Sequence, residues 1–292
     1  MEARSFPSME GEMNKKIVMG VGGLLLALAM AIHSSQIDFP KLSGPYLGQK
    51  PPGKTPEIFA PGIVSLGDSS EYGITFSPDG KEIYFTRSAV TTQIVCARQE
   101  EGRWMAPLEW ALSSGHAAME PHVTLDNRRI YWNWWKSTPE NRRGGIYVST
   151  RGTAEWTEPV YAGSGMYVSS SRDGRIYLTA PGEQWGLSEA TVENGRFIQV
   201  KPLKTIQRLG GHPGISPDGD YVLFDNGSGD LKVSFRKPPD DWSDPIQLSM
   251  FGLPADAWAG SISPDGKFLF FSSKGDIWWI DAKIIENLRA KE

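Results

Sequence analysis

The apolar residues from position 56 onward fall into short runs that are rich in aromatic and β-branched side chains. Pro, Gly, Asp and Asn separate these runs. Aromatic and β-branched residues favour extended strands, whereas Gly, Pro, Asp and Asn favour tight turns. The pattern therefore predicts an all-β fold made of many short strands.

One turn motif recurs five times along this part of the chain and divides the strands into repeats. Its aspartates follow one another at intervals of 47, 47, 45 and 47 residues. Pro presets the backbone for a turn, Asp accepts nearby backbone N–H groups, and Gly or Asn takes the left-handed position that closes the turn. We therefore assign a structural role to the turn aspartates, which are Asp79, Asp126, Asp173, Asp218 and Asp265.

The residues after each turn predict further strands in every repeat. A strand rich in aromatic and β-branched residues follows the turn directly, as at residues 83–85, and a further strand comes after it, as at residues 93–96. An aromatic residue three positions before a proline, as at Trp104 and Pro107, then indicates an outer edge strand. Together with the strand that leads into the turn, each of the first four repeats holds four strands, and about 45 residues per four-stranded unit is the period of a propeller blade.

The last repeat lacks a fourth strand of its own, because the residues after Ile280 favour a helix. Residues 56–62 have the character of the missing strand, and their pairing with the last repeat would close the ring. The sequence thus predicts a five-bladed β-propeller of four-stranded antiparallel blades over residues 56–292, with six blades as the alternative.

The Ser-Pro-Asp-Gly turns at residues 77–80, 216–219 and 263–266, each followed by an apolar strand, resemble the WD-like propeller repeat of the TolB family. The resemblance implies an exported bacterial protein of the cell envelope that acts as a non-enzymatic binding or scaffold module. Residues 36–56 are too few for the separate N-terminal α/β domain of TolB itself, so the resemblance concerns the propeller alone.

Residues 1–35 predict an export signal or an N-terminal membrane anchor. Two lysines precede an apolar run over residues 17–32, which contains the alternating alanines of a signal peptidase site. The run is short for a membrane span, so we favour cleavage of the segment over its retention as an anchor. Met1 and Met13 are both open as the first translated residue. Residues 36–55, rich in Pro, Gly and Lys, predict an extended linker. We expect a periplasmic or secreted bacterial protein.

The charge and motif content narrow the classes of function. Thirty basic and 34 acidic residues are interspersed and give a net charge of -4, which provides no electrostatic footprint for nucleic acid or anionic lipid. The single cysteine, Cys96, excludes an intramolecular disulfide. The sequence contains no nucleophile elbow, zinc helix or phosphate loop. We expect no cofactor, no nucleic-acid partner, and membrane contact only through an uncleaved N-terminal segment.

Counting back from each turn aspartate predicts which side chains face the propeller axis. Four residues before it stand Thr75, His122, Ser169, Gly214 and Ser261. Six residues before it, strand alternation places on the same face Gly73, Glu120, Tyr167, His212 and Ala259. Converging polar and aromatic groups of this kind can hold a polar ligand. The sequence therefore predicts a ligand site at one mouth of the axial channel, formed by Glu71, Glu120, His122, Tyr167, His212 and Trp258.

Other interpretations of single residues stay open. The mouth residues could be solvated or bonded to neighbouring backbone groups. Glu120 and the two histidines could hold a metal ion, but they lack local ligand spacing, so we predict no metal site. Trp132 fits the core between blades, and at most one of Trp134 and Trp135 is expected to be buried, which leaves the other free to stack on a sugar ring.

The sequence favours a non-enzymatic propeller that binds a ligand or serves as a protein-interaction scaffold, with an unidentified protein or glycan of the cell envelope as its partner. A protein that docks on the propeller rim is one form of this function. The alternative is a glycoside hydrolase, because Glu71, Glu120 and Asp256 supply carboxylates near the predicted axis. Such enzymes need an acid and a base or nucleophile at a defined separation.

Overall fold

The computed structural model describes residues 39–138, 142, 144–153, 155–182, 185–227 and 229–289. The segment predicted to direct export, residues 1–35, lies outside them. None of the helices in the described part of the chain has the length and apolar character needed to cross a membrane.

The described residues form twenty-two strands in five antiparallel sheets. The outer strand of the last blade comes first in the chain, as β1 (Glu57–Ile58). The first blade consists of β2 (Ser70–Phe76), β3 (Glu82–Ser88), β4 (Thr92–Glu100) and an outer strand in two pieces, β5 (Arg103–Trp104) and β6 (Leu108–Glu109). The second consists of β7 (Ala118–Val123), β8 (Arg129–Trp134), β9 (Gly145–Thr150) and β10 (Val160–Gly163).

The third blade consists of β11 (Met166–Ser170), β12 (Ile176–Ala180), β13 (Gly186–Glu193) and β14 (Arg196–Pro202). The fourth consists of β15 (Gly211–Ile215), β16 (Tyr221–Asp225), β17 (Lys232–Lys237), β18 (Asp241–Trp242) and β19 (Ile246–Gln247). The fifth consists of β20 (Trp258–Ile262), β21 (Phe268–Ser273) and β22 (Asp276–Asp281), completed by β1. The helices are α1 (Lys283–Arg289) and short 3-10 turns at Tyr46–Gly48, Ala111–Ser113, Gln207–Leu209 and Leu248–Phe251.

The innermost strands contact one another in a closed cycle, in the order β2, β7, β11, β15, β20 and back to β2. This arrangement is a five-bladed β-propeller of four-stranded antiparallel blades. The predicted fold class is therefore confirmed, and the six-bladed alternative is excluded.

The ring is closed by pairing between the first and last strands. In the antiparallel pair of β1 and β22, Glu57 stands opposite Trp279 and Ile58 opposite Trp278. Residues 42–53, part of the predicted linker, lie against the blades on both sides of this closure. The Leu42 carbonyl accepts the Trp104 N–H at 2.9 Å, and the Gly53 carbonyl accepts the Asp281 N–H at 3.2 Å.

The hydrophobic core lies between neighbouring blades. One cluster joins Tyr84 and Ile94 of the first blade to Trp132 and Tyr147 of the second, and all four side chains are buried. Truncation of a buried aromatic side chain costs about 3–5 kcal/mol, so these layers dominate the stability of the ring. Because the blades are held against one another by these layers, the innermost strands and the side chains that they carry along the axis are held in place as well.

The turn aspartates bond within their own turns in four blades. Each accepts a hydroxyl hydrogen bond from the Ser or Thr two residues earlier, in the pairs Ser77–Asp79 (2.6 Å), Thr124–Asp126 (2.6 Å), Ser171–Asp173 (2.5 Å) and Ser263–Asp265 (2.6 Å). The fourth blade differs, because Ser216 donates to Asp220 at 2.6 Å. Asp218 is thereby released, and it pairs with Arg172 of the third blade.

Candidate functional site: the mouth of the axial channel

Each innermost strand contains the same irregularity six residues before the turn aspartate. The backbone there has a positive φ in all five blades, at Gly73 (58°), Glu120 (57°), Tyr167 (50°), His212 (51°) and Ala259 (50°). In the first blade Tyr72 pairs with Thr86 but Thr75 pairs with Tyr84, so two inner residues face one residue of β3. This arrangement is a β-bulge. Because all five blades share it, the bulge belongs to the architecture of the ring.

The bulge changes the predicted register of the axial side chains. Simple alternation put the positions four and six residues before the aspartate on one face, and the extra residue interrupts that alternation. Below the bulge, the cavity on the axis is lined by Thr75, His122, Ser169 and Ser261, and it also meets Glu120 and Tyr167. Its volume is about 40 Å³, which is room for very few water molecules.

Hydrogen bonds between blades occupy the side chains that line this cavity. Ser169 donates to the Pro213 carbonyl at 2.5 Å, and Ser261 donates to the Ile74 carbonyl at 3.0 Å. His122 Nε2 lies 2.8 Å from Ser170 Oγ on the next blade. Burial lowers the pKa of His122 to about 3, so its imidazole is neutral at physiological pH. These residues join the inner strands to one another.

At the bulge and just above it, residues of all five blades contact one another in a closed ring, which we call the mouth ring. Its members in order around the axis are Tyr72, Met119 with Glu120, Tyr167, His212 and Trp258. Ring centroids are 5.0 Å apart for Tyr72 and Trp258, 5.7 Å for Trp258 and His212, and 5.1 Å for His212 and Tyr167. The Tyr72 hydroxyl lies 3.8 Å from Met119 Sδ, and the Tyr167 N–H donates to Glu120 Oε2 at 3.1 Å.

A buried charge network supports one side of the mouth ring. His212 Nδ1 lies 2.9 Å from Asp225 Oδ1, and His212 Nε2 lies 3.8 Å from Glu120 Oε1. Asp225 also accepts the Gly227 N–H at 2.7 Å and the Ala259 N–H at 2.8 Å. The Asp225 carboxylate is fully buried, and the side chain of His212 is 12% exposed.

The network shifts the pKa values of its members. Burial lowers the pKa of His212, but the hydrogen bond and charge of Asp225, together with the charge of Glu120, outweigh burial, so the pKa is raised. Burial raises the pKa of Glu120, and the His212 charge offsets only part of that effect. A raised histidine pKa and a raised carboxyl pKa side by side are typical of sites that hold a proton or an ionic ligand.

The repeat itself shows that this network is not needed to build a blade. In each blade, the residue seven positions before the turn aspartate pairs with a residue of the second strand. In blade order, these partners are Thr86, Asn133, Thr179, Asp225 and Ser272. In the first and third blades the hydroxyl accepts the bulge N–H of the following blade, from Glu120 to Thr86 at 2.8 Å and from His212 to Thr179 at 2.9 Å. A neutral hydroxyl is thus sufficient for the architecture. An aspartate at this position, paired with a histidine, departs from the repeat.

Glu71 and Asp256, two of the carboxylates predicted near the axis, bond to residues outside the mouth ring. Glu71 is fully buried and pairs with Arg87, whose Nε lies 2.8 Å from Glu71 Oε1. Arg87 also donates to the Val64 carbonyl at 2.9 Å, so the pair fastens residues before the first blade to its second strand. Asp256 is exposed and accepts the Ser273 hydroxyl at 2.8 Å. Neither residue is in contact with the mouth ring in these interactions.

The opposite end of the channel is crossed by an arginine. Arg172 reaches from the third blade to Asp218 of the fourth, and its Nη2 donates to the Pro264 carbonyl of the fifth at 2.9 Å. Its backbone N–H also donates to the Pro217 carbonyl at 2.8 Å. The mouth ring therefore marks the end of the channel at which aromatic and titratable groups converge.

The tryptophan group of the second blade divides between core and surface. Trp132 and Trp134 are buried in the cluster shared with the first blade. Trp135 is 61% exposed. Lys136 lies over the Trp134 ring, with 4.5 Å between its Nζ and the ring centroid.

Sequence reasoning missed three residues of the site, namely Tyr72, Met119 and Asp225. Tyr72 and Met119 stand one position before the column that alternation singled out, at the place where Trp258 stands in the fifth blade. Comparison of the five repeats at that position would have found them. Asp225 ends the second strand of its blade, and only the fold brings it to His212. Within the described residues, no group of three or more His, Cys, Asp or Glu side chains is arranged to hold a metal ion.

Comparison with known proteins finds similar folds at low sequence identity. Similar solved structures include a protein assigned as TolB from Agrobacterium tumefaciens, with 16% identity, 71% of each chain covered and a TM-score of 0.47. A gluconolactonase from Xanthomonas campestris has 11% identity, with 84% of this chain and 98% of that chain covered and a TM-score of 0.46. An arabinanase from Bacillus subtilis has 10% identity, 74% and 96% coverage and a TM-score of 0.44.

No protein-family model matches the chain. No curated protein matches it by sequence. The names of these similar structures indicate different functions, so the similarity carries no information on substrate or activity.

Proposed function

We propose that this chain is an exported propeller of the bacterial cell envelope that binds a small polar ligand at the mouth ring without transforming it. The observation that carries the proposal is the departure from the repeat at Glu120, His212 and Asp225. The bulges of the first, third and fifth blades form without a charged residue at the bulge, and burial of a charge is costly even when the charge is paired. We infer that the network is kept for a ligand.

The gap between Glu120 and His212 supports a ligand that offers a hydroxyl group. Oε1 of Glu120 and Nε2 of His212 are 3.8 Å apart, which is too long for a direct hydrogen bond. A hydroxyl or water that lies to the side of this gap, within hydrogen-bond distance of both atoms, can bond to both. Asp225 holds the other imidazole nitrogen and so keeps Nε2 directed toward Glu120.

The aromatic members of the ring support an apolar face on the same ligand. Tyr72 and Trp258 are half-buried, and their planes are inclined by 38°. Inclined rings beside a few directed polar groups are the usual composition of a small-molecule site. A protein docked on a flat rim does not need buried groups of this kind.

A glycoside hydrolase is the second candidate, and the raised pKa of Glu120 favours it. A general acid must keep its proton near neutral pH, and burial shifts the pKa of Glu120 upward, in the direction that such an acid needs. The reaction also needs a second carboxylate that is free to act on the sugar. Glu71 is bound to Arg87, and Asp225 is bound to His212 and two backbone N–H groups. Binding without turnover therefore fits the geometry better.

The test is a titration of the purified full-length protein with cell-wall glycans, plant glycans and small polar metabolites, followed by tryptophan fluorescence and by assays for released product. Binding that is lost in Glu120→Gln and Trp258→Leu, but kept in Trp135→Leu, supports the proposal. Binding that both mouth variants leave unchanged contradicts it. Product release that Glu120→Gln abolishes favours the hydrolase. Fractionation of cells that express the tagged protein tests export separately.

A further inference from the structure

The mouth ring combines two chemical features that recur in sites for organic cations. One is a buried carboxylate with no equal positive charge beside it. The other is a pair of aromatic rings that meet at an angle. We propose that the ligand of the mouth ring carries an alkylated ammonium group, which lies against Tyr72 and Trp258 with Glu120 as its counter-ion. This inference rests on the proposed function and names the class of ligand.

The charges of the network leave room for a cation. The Asp225 carboxylate bonds directly to His212, so these two groups form a pair. Glu120 is the third group, and its Oε1 atom is 3.8 Å from the imidazole. Two carboxylates and one imidazolium leave one negative charge when Glu120 is ionised. A cationic ligand would favour the ionised form of Glu120 and would remove the cost of burying its charge.

The field of Glu120 extends to the aromatic pair. Burial raises the pKa of Tyr72, and the Glu120 charge adds to that increase. A cation beside the Tyr72 ring therefore lies within the field of the carboxylate. Cations bind the faces of Trp and Tyr rings, and clustered aromatic rings recognise quaternary ammonium groups in particular.

The neighbouring atoms suit alkyl substituents better than a bare ammonium ion. Met119 lies against the Tyr72 hydroxyl, with its thioether sulfur 3.8 Å away. The Tyr72 ring of the first blade and the Trp258 ring of the fifth lie side by side, with 5.0 Å between their centroids, and both residues are half-buried, so part of their apolar surface stays accessible. A bare ammonium ion needs several hydrogen-bond acceptors, whereas methylated ammonium groups need apolar contact and a distributed negative potential.

The test compares choline with its neutral isostere 3,3-dimethyl-1-butanol by isothermal titration of the full-length protein. The two probes share a hydroxyl and a branched apolar end, and they differ in the positive charge. We expect choline to bind at least about tenfold more tightly, because desolvated cation–π contacts and the carboxylate act on the charged probe alone. Tyr72→Phe keeps a ring face and should keep choline binding, whereas Tyr72→Leu and Trp258→Leu should weaken it about tenfold or more.

Equal affinity for the two probes overturns the inference and leaves a mouth that binds neutral ligands. The inference is also overturned if a glycan binds in a way that depends on Glu120 and Trp258 while neither choline nor tetramethylammonium binds. Choline binding that Tyr72→Leu and Trp258→Leu leave unchanged places the cation elsewhere and also overturns the inference. Absence of any binding that depends on the mouth ring contradicts both the inference and the proposed function. Trp135→Leu, at an exposed tryptophan of the second blade, is the matched control for loss of an aromatic side chain.

Discussion

The imidazole of His212 and the carboxylate of Asp225 are joined at 2.9 Å in the interior of the fourth blade. The carboxylate holds one imidazole nitrogen and two backbone N–H groups at once. It therefore orients a side chain of the mouth ring and fixes the bulge of the next blade through Ala259.

Replacement of Asp225 by Asn is expected to lower the free energy of unfolding by about 3 kcal/mol, because a buried charge pair is broken and an amide oxygen cannot accept all three N–H groups. Urea unfolding followed by fluorescence measures the loss. Asp256→Asn is the control, since Asp256 is exposed, and a change below about 1 kcal/mol is expected there. Equal effects in the two variants would contradict the role given to Asp225.

Glu120 is expected to make stability fall as the pH rises. Burial raises its pKa above the ordinary value of 4.5, so the folded protein holds this proton to higher pH than the unfolded chain does. The stabilising contribution is thus complete below pH 4.5 and is lost as the pH rises through the raised pKa. Glu120→Gln cannot lose that proton. Unfolding free energies between pH 4 and 8 should therefore fall more for the wild type than for the variant, and parallel curves would refute this.

His122 is expected to act in the opposite direction. Burial lowers its pKa from 6.5 to about 3, so the unfolded chain takes up a proton that the folded protein excludes. The wild type should lose up to about 1.4 kcal/mol per pH unit on acidification between these two values. His122→Gln retains a donor for Ser170 and removes the titration. The difference in unfolding free energy between wild type and variant, measured at pH 7 and pH 4, should change by more than about 1 kcal/mol.

Glu71 is expected to serve stability and not ligand binding. Glu71→Gln leaves the Arg87 guanidinium without its buried counter-charge, so we expect a loss of about 3 kcal/mol in the free energy of unfolding. Lys267→Ala breaks an exposed pair with Asp265 and should change stability by less than about 1 kcal/mol. Any ligand found for the mouth ring should bind Glu71→Gln with unchanged affinity. If the Glu71→Gln variant is fully folded but loses binding, Glu71 belongs to the ligand site.

The fold could be predicted because its information is local and repeated. Each turn carries its own Asp and Gly or Asn, and each strand after it carries its own aromatic residues, so five short patterns define five blades. The closing strand was predicted from composition at residues 56–62, and β1 is found there.

The site could be predicted only in part, because its register depends on the bulge. Four of the five bulge residues are not glycine, so the positive φ leaves no mark in the sequence. Glu120, Tyr167 and His212 were found by counting from the turns. Asp225 was not, because it lies on another strand and reaches His212 through tertiary structure. Glu71 was assigned to the mouth by extending a strict alternation beyond the bulge.

The pairing of β1 with β22 imposes an order on assembly. Residues 57–58 are synthesised before the other described strands, yet their partners Trp278 and Trp279 belong to β22, the last described strand along the sequence. From the synthesis of β22 until its pairing with β1, the fifth sheet has an unpaired edge strand that carries Trp278 and Trp279, and unpaired edges recruit other chains. Closure of so long a loop is slow, since its entropy must be lost before the contacts form. A chaperone that shields the β22 edge would therefore act late, between the synthesis of β22 and the closure of the ring.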